Sequence, residues 1–138
     1  MTNTVKDAMT ASPAYLDGNA SVIEAARTMV NEDVGSIPVV EEGRLVGIVT
    51  DRDLVVQVMA KDLDPNKIPV SDVCSENPIV AAPQESLEVA LKRMATEQIR
   101  RLPVVEEGRL VGMLAQADVA QNAEAASTGE MVEQISQK

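Results

Sequence analysis

Histidine, tryptophan and phenylalanine are absent from these 138 residues, and Tyr15 is the one aromatic. Without histidine the chain lacks the commonest general base and the commonest metal ligand. No Ser/His/Asp or Cys/His arrangement can be built, and neither a catalytic residue nor a metal site is expected. A single aromatic gives single-stranded bases nothing to stack on. Cys74 stands alone, which excludes an internal disulfide and a cysteine-held zinc. No run approaches the roughly 18 apolar residues of a membrane span. The opening "MTNTVKDAMT" lacks the apolar stretch of a secretory signal. No Gly-rich phosphate loop with a lysine is present. The expectation is a soluble, cytoplasmic protein that is not an enzyme and requires no cofactor.

What is present is aliphatic and acidic. Apolar residues make up 45% of the chain, so Val, Ile, Leu, Ala and Met must fill the core. The formal net charge of −10 repels duplex nucleic acid. An anionic ligand needs a local basic pocket within this surface, which makes the few arginines informative.

The string "PVVEEGRLVG" occurs at 38–47 and again at 103–112. Sliding the chain by this offset of 65 aligns 5–54 with 70–119 without a gap, with 18 identities in 50 pairs. They include Asp7/Asp72, Pro13/Pro78, Ser21/Ser86, Ala25/Ala90, Met29/Met94 and Asp53/Asp118. This is an internal duplication. Each copy reads as β-α-β-β-α. A short extended piece follows Pro13 ("AYL") or Pro78 ("IVA"). Val22, Ala25, Ala26, Met29 and Val30 then form one helical stripe, with Ser21 and Glu24 as a capping box. Leu87, Ala90, Leu91, Met94 and Ala95 repeat the stripe behind Ser86. Two β-rich runs flank "EEGR", whose glycine suits the left-handed position of a tight hairpin turn. A second helix is expected over about 51–60, with "DLVVQVM" as its apolar face, and its counterpart over about 116–123. The expected boundaries are repeat 1 at 1–60, a linker at 61–69, repeat 2 at 70–122, and a tail at 123–138 with a short helix around Met131, Val132 and Ile135. One repeat of this size buries too little surface alone, so two repeats sharing a core are expected.

Four regions bear on function. Thr50 sits where a strand turns into a helix, with Asp53 three residues on. The pair reads as a capping box. The same geometry offers a helix N-terminus to an anion and a carboxylate to a diol such as a ribose. Arg100 and Arg101 follow a helix, where cations are favoured in any case. Glu41, Glu42, Glu106 and Glu107 read as solvated hairpin tips. Cys74, near a helix start, is open to a lowered pKa, but it aligns with Met9 and so reads as an ordinary apolar position.

Taken in order, "IPVV" with "GIVTDRD" and "LPVV" with "GMLAQAD" resemble the two halves of a CBS (cystathionine-β-synthase) domain pair, the Bateman module. The resemblance covers about 5–120, and the lack of any other domain is similar to stand-alone bacterial proteins of the hypoxic-response type. It implies an α+β fold: two βαββα repeats whose small mixed sheets pack together as a pseudo-twofold pair, commonly a homodimer, in a stress-response setting. It implies regulatory binding of AMP, ADP, ATP or another adenosyl compound in clefts between repeats, with no nucleic acid and no membrane. In one implied cleft Thr50 and Asp53 meet Arg100 and Arg101, with Arg52 nearby and Ile37 and Pro38 at the adenine slot. The other pairs Asp118 with Gly35, Ser36 and Pro103. There Ala115 replaces the motif hydroxyl and the arginines are missing, so that cleft is expected to be impaired. The alternative is a ligand-independent dimeric module whose clefts are vestigial and which binds a protein partner.

Overall fold

Two residues of left-handed backbone close each hairpin. Glu42 and Gly43 have φ of 53° and 81°, and Glu107 and Gly108 repeat both values. Arg44 pairs directly with Glu41, so the loop is two residues long and of the type I′ that matches strand twist. The structure, a computed structural model, describes residues 3–117 and 119. In chain order the elements are α1 (Val5–Ala8), β1 (Thr10–Ala11), β2 (Leu16–Asp17), α2 (Val22–Glu32), β3 (Ser36–Glu41), β4 (Arg44–Thr50) and α3 (Asp51–Leu54). A π turn (Val55–Met59) and a 3₁₀ turn (Val70–Asp72) follow. Then come β5 (Ser75–Glu76), α4 (Leu87–Glu97), β6 (Arg101–Glu106) and β7 (Arg109–Ala115). The α+β fold expected from the sequence is thus observed. Of the helix expected over 116–123, residues 116, 117 and 119 are described and helical. The tail helix lies outside the described residues.

The compact units are not the sequence repeats. One unit is Ala14–Ile79 with Glu107–Leu110. In it β2 runs parallel to β3, β3 antiparallel to β4, and β4 antiparallel to β5. The strand β5 and the 3₁₀ turn come from the opening of repeat 2. The other unit holds 3–13, 80–106 and the described residues from 111 onward. Here β1, from the opening of repeat 1, pairs antiparallel with β7. The same bonds dock each borrowed segment. Val70 N–H donates to the Ala20 carbonyl at 2.7 Å, and Val5 N–H to that of Glu85 at 2.9 Å. Val22 N–H donates to Ile68 at 2.9 Å, and Leu87 N–H to Asn3 at 3.0 Å.

Glycine makes room for each borrowed strand. A Cβ on Gly47 would lie 2.5 Å from the Ser75 carbonyl oxygen and 2.7 Å from Cys74 Sγ. At the matching Gly112 it would meet Met9 Sδ.

The buried apolar residues fall into two clusters. Leu16, Val22, Ala25, Met29, Ile37, Val39, Val49, Val58 and Val70 form the first. Val5, Ala8, Ala81, Leu87, Ala90, Met94, Leu102, Val104, Leu114 and Val119 form the second. The core expected to be shared is instead two cores, each completed by the other repeat's opening segment.

Three local expectations change. Val30, placed on the buried stripe of α2, is 80% exposed, because the stripe faces the sheet through Val22, Ala25 and Met29. Val55, Val56 and Met59 are also exposed, and only Val58 of that turn is buried. Of the expected Ser21–Glu24 capping box only one half forms: Ser21 accepts from Glu24 N–H at 3.3 Å.

The second unit has an ion pair with no counterpart in the first. Arg93 reaches Glu85 at 2.6 Å and the Val80 carbonyl at 2.8 Å, and Glu85 also accepts from Ala82 N–H at 2.7 Å. The Arg93 guanidinium holds the Glu85 carboxyl below its usual range. A carboxylate whose folded pKa is depressed adds stability above its unfolded pKa and loses it as pH falls through the folded value. The Tm difference between the native chain and Glu85→Gln should therefore be largest near neutrality. It should shrink as pH drops below about 4.3, the unfolded glutamate value. A difference independent of pH would remove the pair as its cause.

The core assignments also set which fragment folds. Residues 14–79 keep all nine members of their cluster. Residues 1–60 lose Val70 and carry Val5 and Ala8 without their partners. Circular dichroism in urea should show a cooperative transition for 14–79 and none for 1–60. The reverse ranking would contradict the exchanged arrangement.

Candidate functional site

Thr50 ends β4 in extended geometry, φ −118° and ψ 163°, and caps α3. Its Oγ1 accepts from Asp53 N–H at 3.1 Å, and Asp53 Oδ2 accepts from Thr50 N–H at 2.9 Å. The capping-box reading of this pair is therefore met in full. It leaves chemistry to spare: the Thr50 hydroxyl proton and Asp53 Oδ1 are not used by the box. Both residues are half-buried. Asp51 N–H donates to the Gly35 carbonyl at 2.9 Å, which lays the turn before β3 against the start of α3. Ser36 pairs with Thr50 across the hairpin. Ile37 and Pro38 follow in β3, and both are buried. Arg52 is exposed on α3.

The second unit repeats this arrangement with other side chains. Gln116 N–H donates to the Arg100 carbonyl at 2.9 Å, the equivalent of the Asp51–Gly35 bond. Where the first unit has Gly35 and Ser36 the second has Arg100 and Arg101, and where the first has Thr50 the second has Ala115. Gln98 ends α4 in left-handed geometry at φ 57°, and Arg101 opens β6 two residues after Ile99. Pro103 is buried one turn of the pleat further on. Arg100 is exposed and Arg101 half-buried. Among the described residues neither they nor Arg52 forms an ion pair. The Nε of Arg101 is buried without any hydrogen-bond partner. An unmet buried donor costs about 1–3 kcal/mol.

The structure thus joins Thr50 with Asp53 in one unit, and Arg100 with Arg101 in the other. Asp118 lies outside the described residues. Cys74 is the packed apolar position that its alignment with Met9 implied. It lies against Gly47 and packs on the core cluster of its unit. Burial raises its thiol pKa, and the carboxylates of Glu76, Asp53 and Glu41 add to the rise. The lowered pKa that a helix start suggested is not found. The alignment with Met9 was the signal: both sulfur side chains cover the glycine of the facing strand.

Among the described residues no group of three or more His, Cys, Asp or Glu is placed to hold a metal. No helix among them is long and apolar enough to cross a membrane.

Residues 5–60 and 70–124 match the CBS domain family. The chain belongs to that family, as a pair of CBS domains. It is 44% identical over 120 residues to the CBS domain-containing protein YhcV of Bacillus subtilis, covering 87% of this chain and 85% of that protein. It resembles the crystal structure of Hypoxic Response Protein I with two coordinated zinc ions, with a TM-score of 0.79 and 32% identity over 86% of this chain and 98% of the other. It also resembles CBSX2 in complex with AMP, with a TM-score of 0.77 and 30% identity over 88% and 96%.

The Cys74 surroundings give a direct check. With its pKa raised and its side chain packed, the thiol should react with Ellman's reagent at neutral pH more slowly in the folded protein than in urea. Equal rates would contradict its placement over Gly47.

Proposed function

We propose that this chain is a non-catalytic regulatory module that binds an adenine nucleotide or related adenosyl compound through Thr50, Asp53, Arg100 and Arg101. The observation that carries the reading is the buried Nε of Arg101, which has no partner. A phosphate oxygen would supply one through a charge-assisted hydrogen bond. The unused Thr50 hydroxyl and Asp53 oxygen suit the two hydroxyls of a ribose. Family membership and the AMP complex of CBSX2 support the ligand class. Ile37 and Pro38 would line the adenine, and Arg52 would add positive charge.

In sequence the second copy of the motif is incomplete: Ala115 stands where the hydroxyl would precede Asp118, and Gly35 and Ser36 stand before Pro38 where Arg100 and Arg101 stand before Pro103. One competent and one impaired site follow from that difference. The net charge of −10 disfavours a triphosphate more than a monophosphate, so AMP or ADP should bind better than ATP without magnesium. Binding would act on a homodimer or partner equilibrium through differential affinity for two states. A ligand-independent interaction module is the second reading. It is favoured by the exposure of Val30, Val55, Val56 and Met59.

Thermal-shift measurements with AMP, ADP, ATP and S-adenosylmethionine test the proposal. A ligand at 100 times its Kd adds about 2.7 kcal/mol of stability. We expect a clear rise in Tm with AMP, lost in Asp53→Ala and in Arg101→Ala. No shift with any of the four at millimolar concentration would leave the interaction-module reading standing.

A further inference from the structure

The nine residues after Thr50 do not form one regular helix. In α3 the Val55 N–H reaches the carbonyls of Asp51 and Arg52, as in an ordinary helical turn. The ladder then widens. Ala60 N–H donates to the Val55 carbonyl at 2.8 Å and Leu63 N–H to the Val58 carbonyl at 3.0 Å, each five positions back. Such a π turn is equivalent to one extra residue inserted into an α-helix, and π turns recur at functional sites.

This extra residue is stored between two anchors. At the front, the Thr50–Asp53 box and the Asp51–Gly35 bond fix the helix start. At the back, the Pro65 and Ile68 carbonyls accept from Ile23 N–H at 3.2 Å and Val22 N–H at 2.9 Å. Little holds the stretch between them. Val58 is buried, while Val55, Val56, Met59 and Leu63 are exposed. Residues 61–64 are all exposed, and Asp62 has φ 59°. Left-handed backbone outside glycine carries a cost, and a segment with so few buried contacts opens easily.

We propose that this π turn is a two-state element whose register follows occupancy at Asp53. The inference rests on the ligand reading above. In the second state the ladder moves by one residue: Ala60 N–H pairs with Val56 and Leu63 N–H with Met59. The released residue passes into the exposed 61–64 turn. Side chains beyond the shift rotate by about 100°, which re-aims Met59 and Leu63. The coupling is competition for one carboxylate. Asp53 Oδ2 satisfies Thr50 N–H in the structure described here. A ligand hydroxyl bound at the free Asp53 Oδ1 turns the carboxylate, loosens the Oδ2 bond to Thr50 N–H and so frees the first turn to take up the stored residue.

Hydrogen exchange on the full chain, with and without saturating AMP, tests this. AMP should slow exchange at the Ala60 and Leu63 amides about tenfold, as the easily opened π turn gives way to regular helical bonds, and leave the Ala25 and Met29 amides unchanged. Deleting Val56 removes the extra residue while both flanks keep their faces. That variant should still show a thermal shift with AMP but no AMP-dependent change at the two amides. A thermal shift in the native chain with unaltered exchange at both amides overturns the relay and leaves the ligand reading intact. Absence of any AMP shift overturns both. An AMP-dependent change that persists in the deletion variant also overturns the relay, and if that variant fails to fold the native-chain measurement decides.

Discussion

Val5 and Val70 are both fully buried, and each is buried in a core built mainly by the other repeat. The rest of the architecture depends on that exchange. Burying a valine side chain contributes about 1.5–3 kcal/mol, and each borrowed segment brings more than one apolar residue. Val70 is accompanied by Val73 and Cys74, and Val5 by Ala8 and Met9. Each segment also adds a short strand to a sheet edge, which would otherwise present unpaired backbone groups. A glycine in the facing strand, Gly47 or Gly112, must stay bare for that strand to approach. Sequence, sheet closure and core filling are therefore one constraint seen at three levels.

The repeated decapeptide has a local reason beyond forming two hairpins. Within the unit of Ala14–Ile79 and Glu107–Leu110, Leu45 N–H donates to the Gly108 carbonyl at 3.0 Å, and Arg44 pairs with Arg109. The Arg109 guanidinium occupies the space where Gly43 would carry a side chain, and Arg44 does the same at Gly108. Each tip needs an arginine to give and a glycine to receive. Both requirements are met when the two strings are the same.

Much of this was legible in the sequence because it depends on local rules. Hairpin turns, the helices behind Ser21 and Ser86, and the Thr50–Asp53 cap follow from residue type at fixed spacing. The resemblance to CBS domains rested on such motifs in order, and the family match agrees. What periodicity could not show was which unit a segment packs in. An apolar residue such as Val70 announces burial but not where. The same limit explains the misplaced exposure of Val30, Val55, Val56 and Met59: apolar spacing was read as burial, and four valine or methionine side chains face outward. The π turn was invisible for a related reason, since it alters hydrogen-bond register without a proline or glycine to mark it. At the candidate site the residue types were readable but the spare valences were not. The unmet Nε of Arg101 depends on what surrounds it, and composition cannot report that.

The exchange of opening segments also bears on how such a chain arises. A single repeat has nothing to close its own sheet except the opening segment of a second copy. A one-repeat ancestor would therefore have folded only in company, trading arms between two molecules. Tandem fusion turns that trade into an internal one and removes its dependence on concentration. It also frees the two copies to diverge: Ala115 stands against Thr50, and Arg100 and Arg101 against Gly35 and Ser36.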